Sequence, residues 1–178
     1  MNISELIIAL LNSEQDGIDG RTVIQKLGYF ASVKLKMDAG YGPDFYGPFS
    51  PSVAAQLENL VGFDFVIEKG RRTTRDRIMY SYFLTDDGKQ LAEKIKEEYP
   101  EEYFIIGNIV ETCKNMVHFN FHVLSWAAKV HFILSQTGKT TTYEEAIEVG
   151  KLFDWELNER EIESAVKLSN ALGLVRKK

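Results

Sequence analysis

The chain has 178 residues, of which 44% are hydrophobic, 26% charged and 12% aromatic, enough apolar material for one large domain or two small ones. Four Pro and 13 Gly exclude a collagen-like or disordered chain, and a single Cys excludes a disulfide framework or a multi-cysteine metal cradle. No apolar run reaches the roughly 20 residues that span a bilayer, and Met-Asn-Ile-Ser-Glu lacks the basic start of a signal peptide, so the expected setting is the cytoplasm, with no membrane partner.

The net charge of −5 argues at first against nucleic acid, but the charge is segregated. Residues 69–77 hold five basic side chains and one acidic, a local +4, whereas residues 78–111 hold eight acidic and three basic, a local −5.

In chain order, Ile3 to Leu11 has helical apolar spacing through Leu6, Ile7, Leu10 and Leu11, and ends in the turn-rich run 12–17. A second helix is expected from a cap at Asp19 to about Met37. Val23, Leu27, Phe30, Ala31, Val33 and Leu35 form its apolar face, and Arg21, Lys26, Lys34 and Lys36 its polar side. Two Gly-Pro pairs follow within residues 41–50, interleaved with Tyr41, Phe45, Tyr46 and Phe49. They predict a stiff loop pinned by aromatics. Ser50-Pro51 is a helix start, with Ser as cap and Pro at the first helical position, and that helix should stop at Gly62.

Residues 63–68 and 78–84 alternate like strands, which makes the basic run between them a hairpin tip. Thr85 to Gly88 then caps a helix from Lys89 to about Tyr99, ended by Pro100. The apolar density of residues 102–136 predicts one or two buried helices, broken near His118–Asn120. Capping boxes at Thr142–Glu145 and Asn158–Glu161 open two more. The expected fold is therefore mainly α with a small β-hairpin: a winged helix-turn-helix over residues 1–100, then a helical domain over 101–178. The Asn158 cap, its helix and Gly173 repeat the pattern of Ser50, helix and Gly62, so residues 121–178 read as a second helix-turn-helix without a wing.

In this frame the DNA-contacting residues are Arg71, Arg72, Thr73, Thr74, Arg75 and Arg77 on the wing, where arginine suits phosphates and narrow minor grooves. Helix 51–61 is the reading helix. Its inner face is Val53, Leu57, Leu60 and Val61, which leaves Ser52, Gln56 and Asn59 for base and phosphate contacts. The partner is double-stranded DNA, bound by a homodimer whose seam is expected in residues 102–136. The function is transcriptional regulation by occupancy.

No catalytic residue, cofactor or metal ligand is assigned. Gly-Lys-Thr at 138–140 resembles a phosphate loop, but the glycine required at position 133 is Ile. Cys113, His118, His122 and His131 could approach metal spacing, yet their aromatic neighbours favour partly buried histidines of a helical hairpin.

Two stretches, residues 23–31 with Lys26, Leu27, Tyr29 and Phe30, and residues 45–53 with Gly47-Pro48, carry a family resemblance. The chain resembles YwgA-like prokaryotic proteins of unknown function, and more distantly the Panacea (SocA-like) antitoxin domain. The resemblance implies that Lys26, Leu27, Tyr29 and Phe30 pack near the Gly47-Pro48 loop. It also supplies the alternative function: a protein-interaction module, antitoxin- or adaptor-like, holding a protein partner with Tyr41, Phe45, Tyr46 and Phe49.

Overall fold

Helix α1 (Ile3–Asn12) is opened by a capping box in which the Asn2 side chain accepts from the Glu5 amide and the Glu5 carboxylate accepts from the Asn2 amide. All six residues from Leu6 to Leu11 are buried, so α1 is a central helix covered on every side rather than a surface helix with one apolar face. In this computed structural model residues 1–73, 76, 78–137 and 142–175 are described. Among them are eight helices and one small antiparallel sheet.

Strand β1 (Ile18–Asp19) follows α1 and is too short to show periodicity, which is why it reads as a turn in the sequence. Asp19 therefore does not cap the next helix. It lies in β1 opposite Ser81, whose hydroxyl it accepts, and helix α2 (Arg21–Leu35) begins instead from Gly20 with no side-chain cap. Lys26 corrects the expected polar side of α2: it is 1% exposed, among the most completely buried side chains of the chain.

Helix α3 (Pro51–Gly62) starts as expected, with Ser50 accepting from the Val53 amide and Pro at the first turn. It leads through a turn with left-handed Asp64 into β2 (Val66–Arg72), three residues later than the alternation suggests, because Phe63 and Asp64 are exposed turn residues. β2 pairs antiparallel with β3 (Ile78–Leu84), and β1 pairs on the other edge of β3, giving the order β1-β3-β2. Because β2 extends to Arg72, both Arg71 and Arg72 are strand residues, not tip residues.

Helix α4 (Asp86–Glu98) is capped by Thr85, whose hydroxyl accepts from the Gly88 amide. Pro100 does not merely end it. It is the first-turn proline of α5 (Pro100–Val117), where its missing amide donor is no loss. His118 and Phe119 are left-handed and break α5 from α6 (Phe121–Thr137), as the sequence predicts. Capping boxes at Thr142 and Asn158 open α7 (Tyr143–Lys151) and α8 (Glu159–Ala171).

Helix α5 packs on α1 and α2, α6 on α2, and α7 and α8 on α6, so one buried apolar cluster runs from Leu6 to Leu172. His118 and His122 are exposed, contrary to the expected partly buried pair. His131 alone is turned inward, hydrogen-bonded to the Tyr29 hydroxyl at 2.8 Å. The Gly-Lys-Thr segment at 138–140 lies outside the described residues, while Ile133 is buried in α6. No helix of the described residues is long and apolar enough to cross a membrane.

Candidate functional site

Strand alternation decides how the basic residues can be used. Side chains two apart share a face, so Glu68, Gly70 and Arg72 lie on one side of β2, and Lys69 and Arg71 on the other. The first side is the one that α3 flanks. Val53, Leu57, Glu58 and Val61 of α3, with Arg21, Glu68 and Tyr82, line a cavity of about 430 Å³ between helix and sheet. On the second side Arg71 pairs with Asp19 at 3.7 Å, and Lys69 stands over the Phe83 ring at 5.1 Å. Arg72 pairs with Asp76 at 3.5 Å, and all four of these charged partners are well exposed. Thr73 follows β2 outside the strand, and Thr74, Arg75 and Arg77 lie outside the described residues.

On α3, Ser52 and Asn59 are exposed as expected. Gln56 is not free: it is half-buried, and its side-chain oxygen accepts from the Ser4 hydroxyl of α1 at 2.8 Å. Glu58 is exposed beside Asn59, so the outward face of α3 carries one negative charge and no positive one.

A polar network missing from the sequence reading sits at the sheet side of the cavity. Arg21 donates from Nε to the Tyr82 hydroxyl at 2.7 Å and from its terminal nitrogen to Glu68 at 2.9 Å, and the Tyr82 hydroxyl donates to the same Glu68 carboxylate. The bond to Tyr82 leads the causes that raise the Arg21 pKa. Burial pushes the Glu68 carboxyl up, but its bonds from Tyr82 and Arg21 outweigh burial and hold it below the usual range. The network fixes the start of α2 to the sheet, 47 residues away along the chain. Its only sequence signal is the alternation that turns Glu68 and Tyr82 to one face.

No family model and no curated protein matches the chain.

The aromatic Gly-Pro loop divides into an inward pair and an outward pair. Gly42 and Phe49 bridge the loop through two backbone hydrogen bonds, and the Gly47 amide donates to the Asp44 carbonyl at 2.9 Å to close a tight turn. Tyr41 packs edge-on against Tyr29 and donates to the Gln25 carbonyl at 3.0 Å. Phe49 borders the cavity beside α3. Phe45 and Tyr46 point outward, 72% and 49% exposed. They stack edge-to-face with each other, and Tyr46 with Phe121 of α6.

Helix α2 holds this loop in place. Lys26 Nζ donates to the Pro48 carbonyl at 2.7 Å, and the Gln25 side chain both donates to the Ser50 carbonyl at 2.9 Å and accepts from the Ser50 amide at 3.0 Å. Burial depresses the Lys26 ammonium to about 8; Asp44 pulls it back up, and Lys129 pushes it further down. The pairing of a Lys-containing helix with a Gly-Pro loop thus has a direct physical basis in this chain.

Beyond the loop lies a second cavity, of about 600 Å³, between Phe45 and Tyr46 and the residues His122, Ser125, Trp126 and Lys129 of α6. The turn after α7 closes it with Asp154, Trp155 and Glu156, and the Trp155 indole N–H donates to the Asp44 carbonyl at 2.7 Å. The α6 residues escaped the sequence reading. Trp126 and Lys129 share a helix face by their spacing, but nothing local says that a loop 80 residues earlier covers them.

Proposed function

We propose that the chain is a winged helix-turn-helix protein that binds double-stranded DNA, with α2 and α3 as the helix pair, α3 as the reading helix and the β2–β3 turn as the wing. The observation that carries this reading is the sheet order β1-β3-β2, with α2 and α3 inserted between β1 and β2 and the exposed Arg71 and Arg72 at the far end of the hairpin. This arrangement offers a duplex a helix and a basic ribbon side by side, the two elements that enter grooves and grip phosphates.

The connection from α2 to α3 is longer than in a short helix-turn-helix. Gln25 compensates by clamping the Ser50 backbone through both its carbonyl and its amide, so α3 is seated on α2 at its cap. Exposed Phe104 and Met116 on α5 support the reading of that helix as the seam of a homodimer. Occupancy of an operator by such a dimer accounts for a role in transcription. Helix α8 repeats the cap-helix-glycine pattern of α3, with Asn158 as cap and Gly173 after it, and residues 121–178 read as the second, wingless helix-turn-helix.

Fluorescence anisotropy with a mixed-sequence duplex, repeated across salt concentrations, tests the reading. Binding should weaken steeply with salt, each neutralised phosphate contributing about −0.9 to the log–log slope. Joint replacement of Arg71, Arg72, Arg75 and Arg77 by Ala should abolish it. Absence of binding at low salt, or retention by the fourfold variant, overturns the assignment.

A further inference from the structure

The cavity between the Gly-Pro loop and α6 has features that duplex binding does not use, and it shares no residue with the wing or with α3. Its wall is aromatic: Phe45, Tyr46, Trp126 and Trp155 all line it. Its volume of about 600 Å³ falls within the range of small-molecule sites. Two polar groups on one face of α6, four residues apart, are left without acceptors or donors. Ser125 is 4% exposed, and its hydroxyl has no hydrogen-bond partner among the described residues. It does not make the bond to the preceding turn by which a helical serine usually satisfies itself. Lys129, half-buried, makes no ion pair or hydrogen bond there, and its ammonium lies 5.4 Å from the centre of the Trp155 ring.

The two residues that carry these groups are held against the loop by their backbone and side-chain stem. Gly47 is left-handed at φ +89°, and a Cβ there would lie 3.0 Å from Lys129 Cγ and 3.3 Å from the Ser125 carbonyl. Glycine is thus required for the loop to close on α6. A buried hydroxyl without a partner is unfavourable in the free protein, and the half-buried Lys129 ammonium has no ion pair, only the Trp155 ring and the field of Glu161, whose carboxylate is held by the Asn158 amide. One acceptor-bearing anion would satisfy both.

We propose that this cleft binds a small aromatic carboxylate, its carboxyl group taken by Lys129 and Ser125 and its ring stacked among Phe45, Tyr46 and Trp126. The rim carries acids as well as bases, namely Asp154 and Glu156 beside Lys151 and His122. Asp154 and Glu156 are exposed and solvated, and Lys151 is engaged by Glu148 at 2.6 Å. The depth at which Lys129 sits therefore decides the sign of the preferred ligand.

The chain's two tryptophans both line the cleft, so their indole N–H signals in a heteronuclear NMR spectrum report on it directly. Titration with benzoate should move both signals, and benzamide and benzylammonium should bind at least about tenfold more weakly, the difference expected of a charge-assisted contact. Lys129→Met should weaken benzoate by about tenfold or more while leaving benzamide unchanged. Ser125→Ala should weaken benzoate several-fold without lowering the melting temperature, because the hydroxyl has no partner to lose. Should Lys129→Met fail to fold, Lys129→Arg, which keeps the charge, and Ser125→Ala decide the matter. Equal or tighter binding of benzylammonium or benzamide, unchanged benzoate affinity in either the Met or the Ala variant, or indole signals that stay still up to the solubility limit of benzoate would each overturn the proposal.

Discussion

The Lys26 ammonium donates to the Pro48 carbonyl at 2.7 Å from a side chain only 1% exposed, so a charged group of α2 is the post on which the Gly-Pro loop hangs. Burial holds this ammonium at about 8, against an ordinary value of 10.5. The folded protein thus binds fewer protons than the unfolded chain between those values, and stability rises with pH across that window. Lys26→Met removes this titration. The difference in unfolding free energy between wild type and Lys26→Met, followed by denaturant titration, should shift by about 2 kcal/mol in favour of the wild type from pH 8 to about pH 10. A difference that stays flat with pH shows that Lys26 is not held in this environment.

Ser50 serves three neighbours from one buried position. Its hydroxyl accepts from the Val53 amide and donates to the Ala39 carbonyl, and its backbone is clamped by Gln25. Ser50→Ala removes a helix cap and leaves a buried carbonyl unpaired, which should destabilise the protein by about 2 to 3 kcal/mol in urea unfolding. A loss below about 0.5 kcal/mol, the scale of an ordinary surface substitution, sinks this account.

What the amino-acid order reveals about this fold depends on how local the cause is. Ser50-Pro51, Thr85, Thr142 and Asn158 announce their helices because a cap acts within three residues. Strand β1 stays hidden because two residues carry no period, and Asp19 is read as a cap when its real partners, Ser81 and Arg71, lie more than 50 residues on. Lys26 defeats pattern reading for a different reason. A charge on a helix signals solvent unless some distant backbone oxygen is waiting for it, here that of Pro48. The basic run is legible in the sequence, but that β2 extends through it to Arg72, and so sets Arg71 and Arg72 on opposite faces, emerges only from the pairing Arg71↔Met79 and Arg72↔Ile78. The α6 cleft is the least legible part, since residues 45–46, 122–129 and 151–156 come together only through the tertiary fold.

Cys113 tests the packing of α5 against its neighbours. Its thiol is fully buried, and burial pushes its pKa up to about 12, so both access and thiolate formation are suppressed. Iodoacetamide at neutral pH should label the native chain on the order of a thousandfold more slowly than the chain in guanidinium, since reaction awaits an opening of the core. Mass spectrometry counts the single adduct. Rapid labelling without denaturant contradicts the buried position.

Arg71 and Arg72 should differ in what they contribute to a duplex. Alternation puts Arg72 on the side of the sheet that α3 flanks, and Arg71 on the far side, where Asp19 stands at 3.7 Å. Arg72→Ala should therefore weaken duplex binding across sequences and reduce the magnitude of the salt slope by about 1, with a smaller effect from Arg71→Ala. Asp19→Asn keeps an acceptor for the Ser81 hydroxyl but removes the negative charge beside Arg71. If the far side also approaches phosphate, that substitution should tighten binding by about two- to fivefold at low salt, with the gain fading as salt screens it. Anisotropy titrations of the three variants at two salt concentrations separate the cases. Equal losses for both arginines, with no gain from Asp19→Asn, would place the duplex at the hairpin tip rather than against the α3 side of the sheet.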